Sequence, residues 1–146
     1  MKFRFLDGVV SSALDGPGQI MTEFTFPQSE DYLNTHFHKP SQIPFTIVLE
    51  AMAASAGRLI EVVTENKARA LMMKVEEANF LNPVSGGDKL VVESKLLGIQ
   101  DRTGEKVGMA RTRVKGWVSE KAVAEACIVY LCFPVRLAHR GSEQLR

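Results

Sequence analysis

The sequence feature that most constrains the fold is a run of sixteen residues, from Phe45 to Ile60, in which only Glu50 and Arg58 are charged. Pro44 precedes the run, and proline suits a helix start because its φ is already helical and no intrahelical partner awaits the N–H that it lacks. Beyond Glu50 the side chains are small or apolar on every side, which is typical of a helix surrounded by protein. The run predicts a buried central helix from near Pro44 to about Glu65.

The rest of the chain predicts short β-strands separated by turns. Apolar and β-branched side chains alternate with polar ones, and Gly, Pro, Asn and Asp mark the breaks. The predicted strands lie near residues 3–10, 20–26, 70–82, 90–99, 109–118 and 122–133. On the fifth of them, Arg111, Arg113 and Lys115 share one face, which predicts contact with water. Two strands, a long helix and four more strands indicate an α+β domain whose antiparallel sheet curls around the helix.

Length and charge set broad limits on the protein. With 146 residues, 45% of them hydrophobic, residues 1–146 are expected to form a single domain that ends in a basic tail over 136–146. Eighteen basic against 17 acidic residues give no global attraction to nucleic acid or to an anionic membrane. The N-terminus has no secretory signal pattern and no apolar run reaches membrane-spanning length, so we expect a cytoplasmic protein.

The two cysteines are not expected to form a disulfide. Cys127 and Cys132 lie five positions apart in a single predicted strand, so their side chains point to opposite faces of the sheet. The apolar character of this strand predicts that both are buried thiols.

Glu50 is the first candidate for chemistry, because a carboxylate on a buried helix must be paired, hydrogen-bonded or protonated. His36 and His38 lie shortly before it, and histidine is the common partner of a carboxyl group in proton transfer. The same three side chains form only a weak metal motif, since two histidines one residue apart lack a clear third and fourth ligand. We therefore predict an acid–base site and no metal site.

His36, Phe37, Pro44, Glu50 and Ala51 resemble, in type and spacing, the active-site motif of the hotdog-fold 3-hydroxyacyl-ACP dehydratases. Three longer segments resemble the family's opening strand, the strands and turn after its helix, and its final strand: FRFLDGVV, NFLNPVSGGDKLVVESKLL and AVAEACIVYLCF. The resemblance covers most of the chain. It implies a hotdog fold, in which an antiparallel β-sheet wraps around one long central helix.

The resemblance also implies an activity: dehydration of 3-hydroxyacyl thioesters on acyl carrier protein to trans-2-enoyl thioesters, in fatty acid or polyketide-like biosynthesis. His36 would be the base, Glu50 the acid and the backbone N–H of Phe45 an oxyanion donor, with no cofactor. It further implies a homodimer or larger homo-oligomer in which the histidine of one subunit faces the acid of the other. The acidic carrier protein would meet the basic row of residues 111, 113 and 115 or the basic tail, although a solvated strand face is the simpler explanation of that row.

The chain departs from the family pattern around the motif. Thr35, His38 and Lys39 replace a glycine and a Pro-Gly pair, and Phe45 replaces a glycine after the helix-starting proline. His38 is therefore assigned a structural or substrate-shaping role, and the ring of Phe45 is expected to narrow the site or redirect the acyl group. Two alternatives stay open: an acyl thioesterase that uses Glu50 to activate water, and a catalytically silent acyl-binding subunit. His36 favours the dehydratase over the thioesterase.

Overall fold

A computed structural model of the protein describes residues 5–14, 16–28 and 42–135. Two strands precede a long helix and four strands follow it, which confirms the predicted order. The elements are β1 (Gly8–Ala13), β2 (Gln19–Thr25), α1 (Phe45–Val63), β3 (Ala68–Phe80), β4 (Lys89–Ile99), β5 (Gly108–Val118) and β6 (Lys121–Pro134). No helix in these ranges has the length and apolar character needed to cross a membrane.

The six strands of the described chain form one antiparallel sheet in the order β1-β2-β4-β5-β6-β3. Strand β3 pairs with β6 from Ala68–Pro134 to Phe80–Ala124, and two irregularities interrupt this register. The helix packs against β2, β3, β4, β5 and β6. Strands β2 and β4 are neighbours in the sheet, although α1 and β3 lie between them in the chain. The connection from β2 to β4 therefore crosses over the sheet, and this crossover places α1 on the inner face of the sheet.

Backbone geometry explains where α1 begins and ends. Pro44 has φ −55° and ψ 139°, so it is the N-cap and the helix begins at Phe45. At the other end the Thr64 N–H and Oγ1 both donate to the Ile60 carbonyl, at 3.1 and 2.8 Å. Glu65 and the residue after it then take positive φ values of 53° and 62°, which end the helix. These bounds confirm the predicted start near Pro44 and end near Glu65.

The core lies between α1 and the inner face of the sheet. Apolar residues recur every three or four positions along α1 and so share one face of the helix. This face is fully buried against side chains that point inward from the strands. Its members include Val48, Met52, Ala56, Leu59 and Ile60, and the strands contribute Ile20, Leu90, Val114 and Ile128. The predicted buried central helix is thus confirmed from Ala51 onward, whereas Phe45, Thr46 and Glu50 at its start are exposed.

Three hydroxyl groups interrupt this apolar contact. Thr22 Oγ1 and Ser94 Oγ each lie 2.8 Å from Ser55 Oγ, and all three residues are at most 3% exposed. They come from β2, β4 and α1, so the helix meets the sheet through a small hydrogen-bonded cluster, which we call the hydroxyl cluster. A buried hydroxyl without a partner would be destabilising, and here each one satisfies another.

Two details of the sequence prediction are wrong. The first strand is shifted along the chain and includes Ser11 and Ser12, which pair with β2, whereas Phe5 precedes it and packs edge-to-face on Phe24. Cys132 is buried as predicted, but Cys127 is only half-buried because it faces the outer side of the sheet. The two thiols are free and lie on opposite faces, as expected. The predicted basic tail over 136–146 lies outside the described residues.

Candidate active site

The start of α1 offers unsatisfied backbone donors. The N–H groups of Ile47 and Val48 both donate to the Pro44 carbonyl, at 3.0 and 3.1 Å. Helix geometry leaves the N–H groups of Phe45 and Thr46 without an intrahelical acceptor, and no side chain of the described residues caps this end. Two backbone donors and the positive end of the helix dipole thus coincide, an arrangement that binds a developing oxyanion.

Glu50 lies one turn beyond these donors and is exposed in the described chain. The prediction that this carboxylate is buried is wrong for the single chain, because Glu50 points away from the face of α1 that buries Val48 in the core. The exposed residues of the helix, Phe45, Thr46 and Glu50, all belong to this end. The acid is therefore accessible to a small molecule or to a second chain, next to the free N–H groups.

Tyr130 lies beneath the turn that carries Glu50. Its hydroxyl donates a 2.6 Å hydrogen bond to the Ala53 carbonyl, and the residue is 2% exposed. Burial raises the pKa of Tyr130 far above its usual range, and the negative charge of Glu50 raises it further. Tyr130 thus stays a neutral hydrogen-bond donor within electrostatic range of Glu50. Sequence reasoning missed it, since a tyrosine on an apolar strand carries no signal of its own.

The side chain of Phe45 is held by Phe80 at the end of β3. The two rings stack with centroids 4.6 Å apart and planes 25° apart, and each residue is about one third exposed, at 37% and 36%. Stacking of this kind fixes the ring position and adds to the burial of apolar area. The ring therefore forms an apolar wall at the helix start, while the backbone N–H of Phe45 is unaffected by the side chain.

A buried carboxylate lies at the opposite end of α1. Glu61 is 2% exposed and lies 3.2 Å from Arg58 Nη1 and 3.6 Å from Arg69 Nη1. The first contact is a hydrogen bond, whereas the second is an ion pair only, and Arg69 Nη1 has no hydrogen-bond partner among the described residues. This ion triad ties the end of the helix to the start of β3. The sequence pointed to Glu50 as the buried acid of the helix, but the structure assigns that position to Glu61.

The basic row on β5 faces outward, as predicted, and carboxylates surround it. Arg111 Nε lies 2.7 Å from Glu76 Oε1, and Lys115 pairs in register with Glu93 on one side and Glu125 on the other. These neighbours cancel the positive charge locally. The outer face therefore has mixed charge, which supports the solvated-face explanation of the row over carrier-protein docking.

One cavity lies at the end of the helix opposite Glu50. This cavity of about 660 Å³ opens beyond the C-terminal end of α1, between the turn at Asn66 and Lys67 and the β4–β5 loop at Gly104. Its lining is polar and mixed in charge, and the 16-residue distance along the chain from Glu50 to Asn66 separates it from the candidate acid.

His36 and His38, the predicted base and the predicted shaping residue, lie outside the described residues. Of the four predicted site residues, the structure thus places Glu50 and Phe45, on consecutive turns of one helix end. Within the described ranges no three His, Cys, Asp or Glu side chains are close enough together to hold a metal ion.

Comparison with known proteins relates most of the chain to one family. The family model for the FabA-like domain matches residues 1–127. The 3-hydroxyacyl-[acyl-carrier-protein] dehydratase FabZ of Bartonella quintana is 31% identical over 126 residues, which cover 85% of this chain and 76% of that protein. FabZ of Chlamydia muridarum is 28% identical over 126 residues, which cover 84% and 78%.

Solved structures with the same fold include both dehydratases and thioesterases. The putative thioesterase yhdA of Lactococcus lactis superposes with a TM-score of 0.65 at 15% identity, over 88% of this chain and 93% of that one. The dehydratase heterocomplex ApeI:P of Xenorhabdus doucetiae gives 0.58 at 13% identity, over 90% and 99%. At such low identity these structures establish the fold alone. The family match and the sheet wrapped around one helix lead to the same conclusion: the chain belongs to the FabA-like family and has the hotdog fold of the 3-hydroxyacyl-ACP dehydratases.

Proposed function

We propose that the protein dehydrates 3-hydroxyacyl thioesters carried on acyl carrier protein to trans-2-enoyl thioesters, in fatty acid or polyketide-like biosynthesis. The observation that carries the proposal is the placement of an exposed acid, Glu50, one turn beyond the free N–H groups of an uncapped helix. The similarity to FabZ dehydratases adds the substrate class. A cytoplasmic location belongs to the same proposal.

The elimination divides into steps that named groups perform. The base, assigned to His36, removes the proton from C2, and the electron pair of the broken C–H bond forms the C2–C3 double bond. The C3–O bond breaks as Glu50 gives its proton to the departing hydroxyl, which leaves as water. During the reaction the N–H groups of Phe45 and Thr46 stabilise negative charge on the thioester oxygen. Proton return from His36 to Glu50 restores the site, and no electron leaves or enters it.

A homodimer is part of this proposal. Strand β3 is an edge strand of the described sheet and exposes three consecutive large apolar residues, Leu71 (58%), Met72 (41%) and Met73 (51%). An exposed apolar edge favours pairing with another strand. A second copy paired along β3 would approach the start of α1 and cover Glu50, which agrees with the two-subunit site implied by the family resemblance.

The assay must separate dehydration from thioester hydrolysis. The protein is incubated with 3-hydroxyacyl and enoyl thioesters on carrier protein or pantetheine, while double-bond absorbance and free thiol are followed separately. We expect interconversion of the two thioesters without thiol release. Release of thiol with no change in double-bond absorbance would contradict the proposal and identify a thioesterase.

The site assignment is tested by substitution. His36→Ala and Glu50→Gln should each abolish most of the interconversion, whereas Glu105→Gln, an exposed glutamate in the β4–β5 loop, should leave it unchanged. If the wild-type protein turns over substrate and both site variants retain that turnover, the class is right and the site is wrong.

Thioester hydrolysis is the second candidate, because the fold also occurs in the putative thioesterase from Lactococcus lactis. In that reaction Glu50 would activate a water molecule for attack on the thioester carbonyl, with the same oxyanion donors. A silent acyl-binding subunit is the third, suggested by the departures at Thr35, His38, Lys39 and Phe45. It predicts acyl-thioester binding without either product.

A further inference from the structure

Tyr130 joins strand β6 to the part of the helix that carries Glu50. Its hydroxyl donates to the carbonyl of Ala53, three residues after Glu50, at 2.6 Å. On β6 it pairs in register with Ala110 of β5 and Met72 of β3, so neighbouring strands hold it on both sides. The tyrosine thus connects a well-supported strand with the second turn of α1.

This hydrogen bond is additional to those that form the helix. In α-helical geometry the Ala53 carbonyl already accepts the Gly57 N–H, so the turn does not need Tyr130 to complete its backbone pairing. Within the described ranges, no other strand side chain hydrogen-bonds to the backbone of α1. The hydroxyl cluster adds two hydrogen bonds from the sheet to the side chain of Ser55. The other contacts there are mainly apolar, and such non-directional contacts oppose separation of helix and sheet more than a small shift or rotation.

We propose that Tyr130 is a positioning residue for Glu50, which fixes the height and rotation of its turn relative to the oxyanion donors at Phe45 and Thr46. The inference rests on the proposed function. Proton transfer to a leaving hydroxyl requires the acid within hydrogen-bond reach while the thioester oxygen remains at the donors. Because Glu50 and these donors share one helix end, a fixed point on the helix backbone next to Glu50 helps to set the geometry of both toward the sheet.

The chain offers a matched control for the loss of a buried hydroxyl. Thr112 is 0% exposed and its Oγ1 lies 3.0 Å from the Ile128 carbonyl, so Thr112→Val also removes a buried hydroxyl-to-carbonyl hydrogen bond. That bond lies wholly within the sheet. A general structural effect should appear in Tyr130→Phe and Thr112→Val alike, whereas an effect on Glu50 should appear only in Tyr130→Phe.

Kinetics on the full-length protein give the first test. Tyr130→Phe should lower kcat about tenfold with KM unchanged, because only the transition state demands the aligned acid. Thr112→Val should change neither. In the background of Glu50→Gln, the further loss from Tyr130→Phe should fall to about twofold or less, since the group being positioned is already absent. A full tenfold loss in that background, or equal effects of the two hydroxyl deletions, overturns the proposal.

Amide hydrogen exchange gives a test that does not need turnover. Tyr130→Phe should speed exchange about fivefold in the turns from Glu50 to Gly57, because these turns lose their fixed point, and should leave residues 58–63 unchanged. Thr112→Val should not produce this pattern. Uniform acceleration along α1 overturns the positioning role. If Tyr130→Phe shows the expected exchange pattern but the wild-type protein turns over no hydroxyacyl thioester, the proposed function is overturned instead.

Discussion

The two ends of α1 each carry one glutamate, and their surroundings differ completely. Glu50 at the start is exposed, and its neighbours are uncapped N–H groups and a stacked phenylalanine. Glu61 at the end is buried and faces two arginines, next to a threonine that closes the helix. A buried carboxylate between two arginines links the helix end to β3, whereas an exposed one beside backbone donors is accessible to a substrate. The contrast separates a structural acid from a chemical acid on one helix.

The largest loss of activity should come from replacing Glu50 at the exposed start of α1, which we call the open end. We expect Glu50→Gln to lower kcat for dehydration about 100-fold, because the amide cannot supply the proton to the leaving hydroxyl. The free energy of unfolding should change by less than about 0.5 kcal/mol, since the side chain is exposed. Steady-state kinetics and urea unfolding measure the two quantities. A loss of stability with intact kcat would reverse the roles given to the two glutamates.

The equivalent substitution at the end of α1 that carries the buried Glu61, which we call the closed end, should lower stability. Glu61→Gln leaves Arg58 and Arg69 without their counter-charge, and we expect a loss of about 2 kcal/mol in the free energy of unfolding. This is below the usual cost of breaking a buried ion pair, because both arginines are partly exposed, at 32% and 25% of their side chains, and can turn to water.

Glu76→Gln is the control for this experiment, since it breaks an exposed ion pair with Arg111 and should cost less than about 1 kcal/mol. Equal costs for the two variants would show that burial does not distinguish Glu61.

A third change sharpens the description of the open end. Phe45→Gly removes the ring that walls the helix start but keeps the N–H donor, and should raise kcat/KM for long or branched acyl thioesters about tenfold relative to short ones. Phe80→Leu removes the stacking partner and should give a smaller shift in the same direction. An unchanged ratio in Phe45→Gly would show that the ring does not face the acyl group.

The smallest effect is a pH dependence of stability that we assign to Cys132. This residue lies near the closed end, where it pairs in register with Ala70, next to Arg69. Burial raises the pKa of Cys132 from 9.0 to about 11. Between these values the unfolded chain loses the thiol proton and the folded protein keeps it, so stability is fully present below pH 9 and falls as pH rises toward 11. Urea unfolding from about pH 8 to about pH 10 should show a decline of about 1 kcal/mol that Cys132→Ala reduces. An identical decline in Cys132→Ala would assign it to other groups.

The fold followed from local sequence patterns, whereas the pairing of charges did not. Pro44 marked the helix start correctly because the effect of a proline on the backbone is local. Strand β5 was recognised because exposed residues such as Arg111 and Arg113 alternate with buried ones along it. The burial of Glu61 depends on Arg69, which approaches from a strand after the chain has turned. Arg58 and Glu61 three residues apart are equally common on an exposed helix face, so that spacing could not predict it.

The candidate site was predictable in part for the same reason. The offsets among His36, Pro44 and Glu50 pointed to the family, and Glu50 and Phe45 do share one helix end. The exposure of Glu50 depends on which face of α1 packs on the sheet, and Tyr130 reaches that part of the helix from a position 77 residues beyond Ala53. Such contacts are set by tertiary packing, and no local pattern encodes them.

The hydroxyl cluster limits how this core can be redesigned. Thr22, Ser55 and Ser94 satisfy one another across three elements, so replacing one with an apolar residue leaves the others short of partners, whereas replacing all three together removes the requirement. Laboratory evolution by single substitutions should therefore leave this group unchanged. A designed triple replacement with residues of matching volume is the accessible route to a wholly apolar interface between this helix and its sheet.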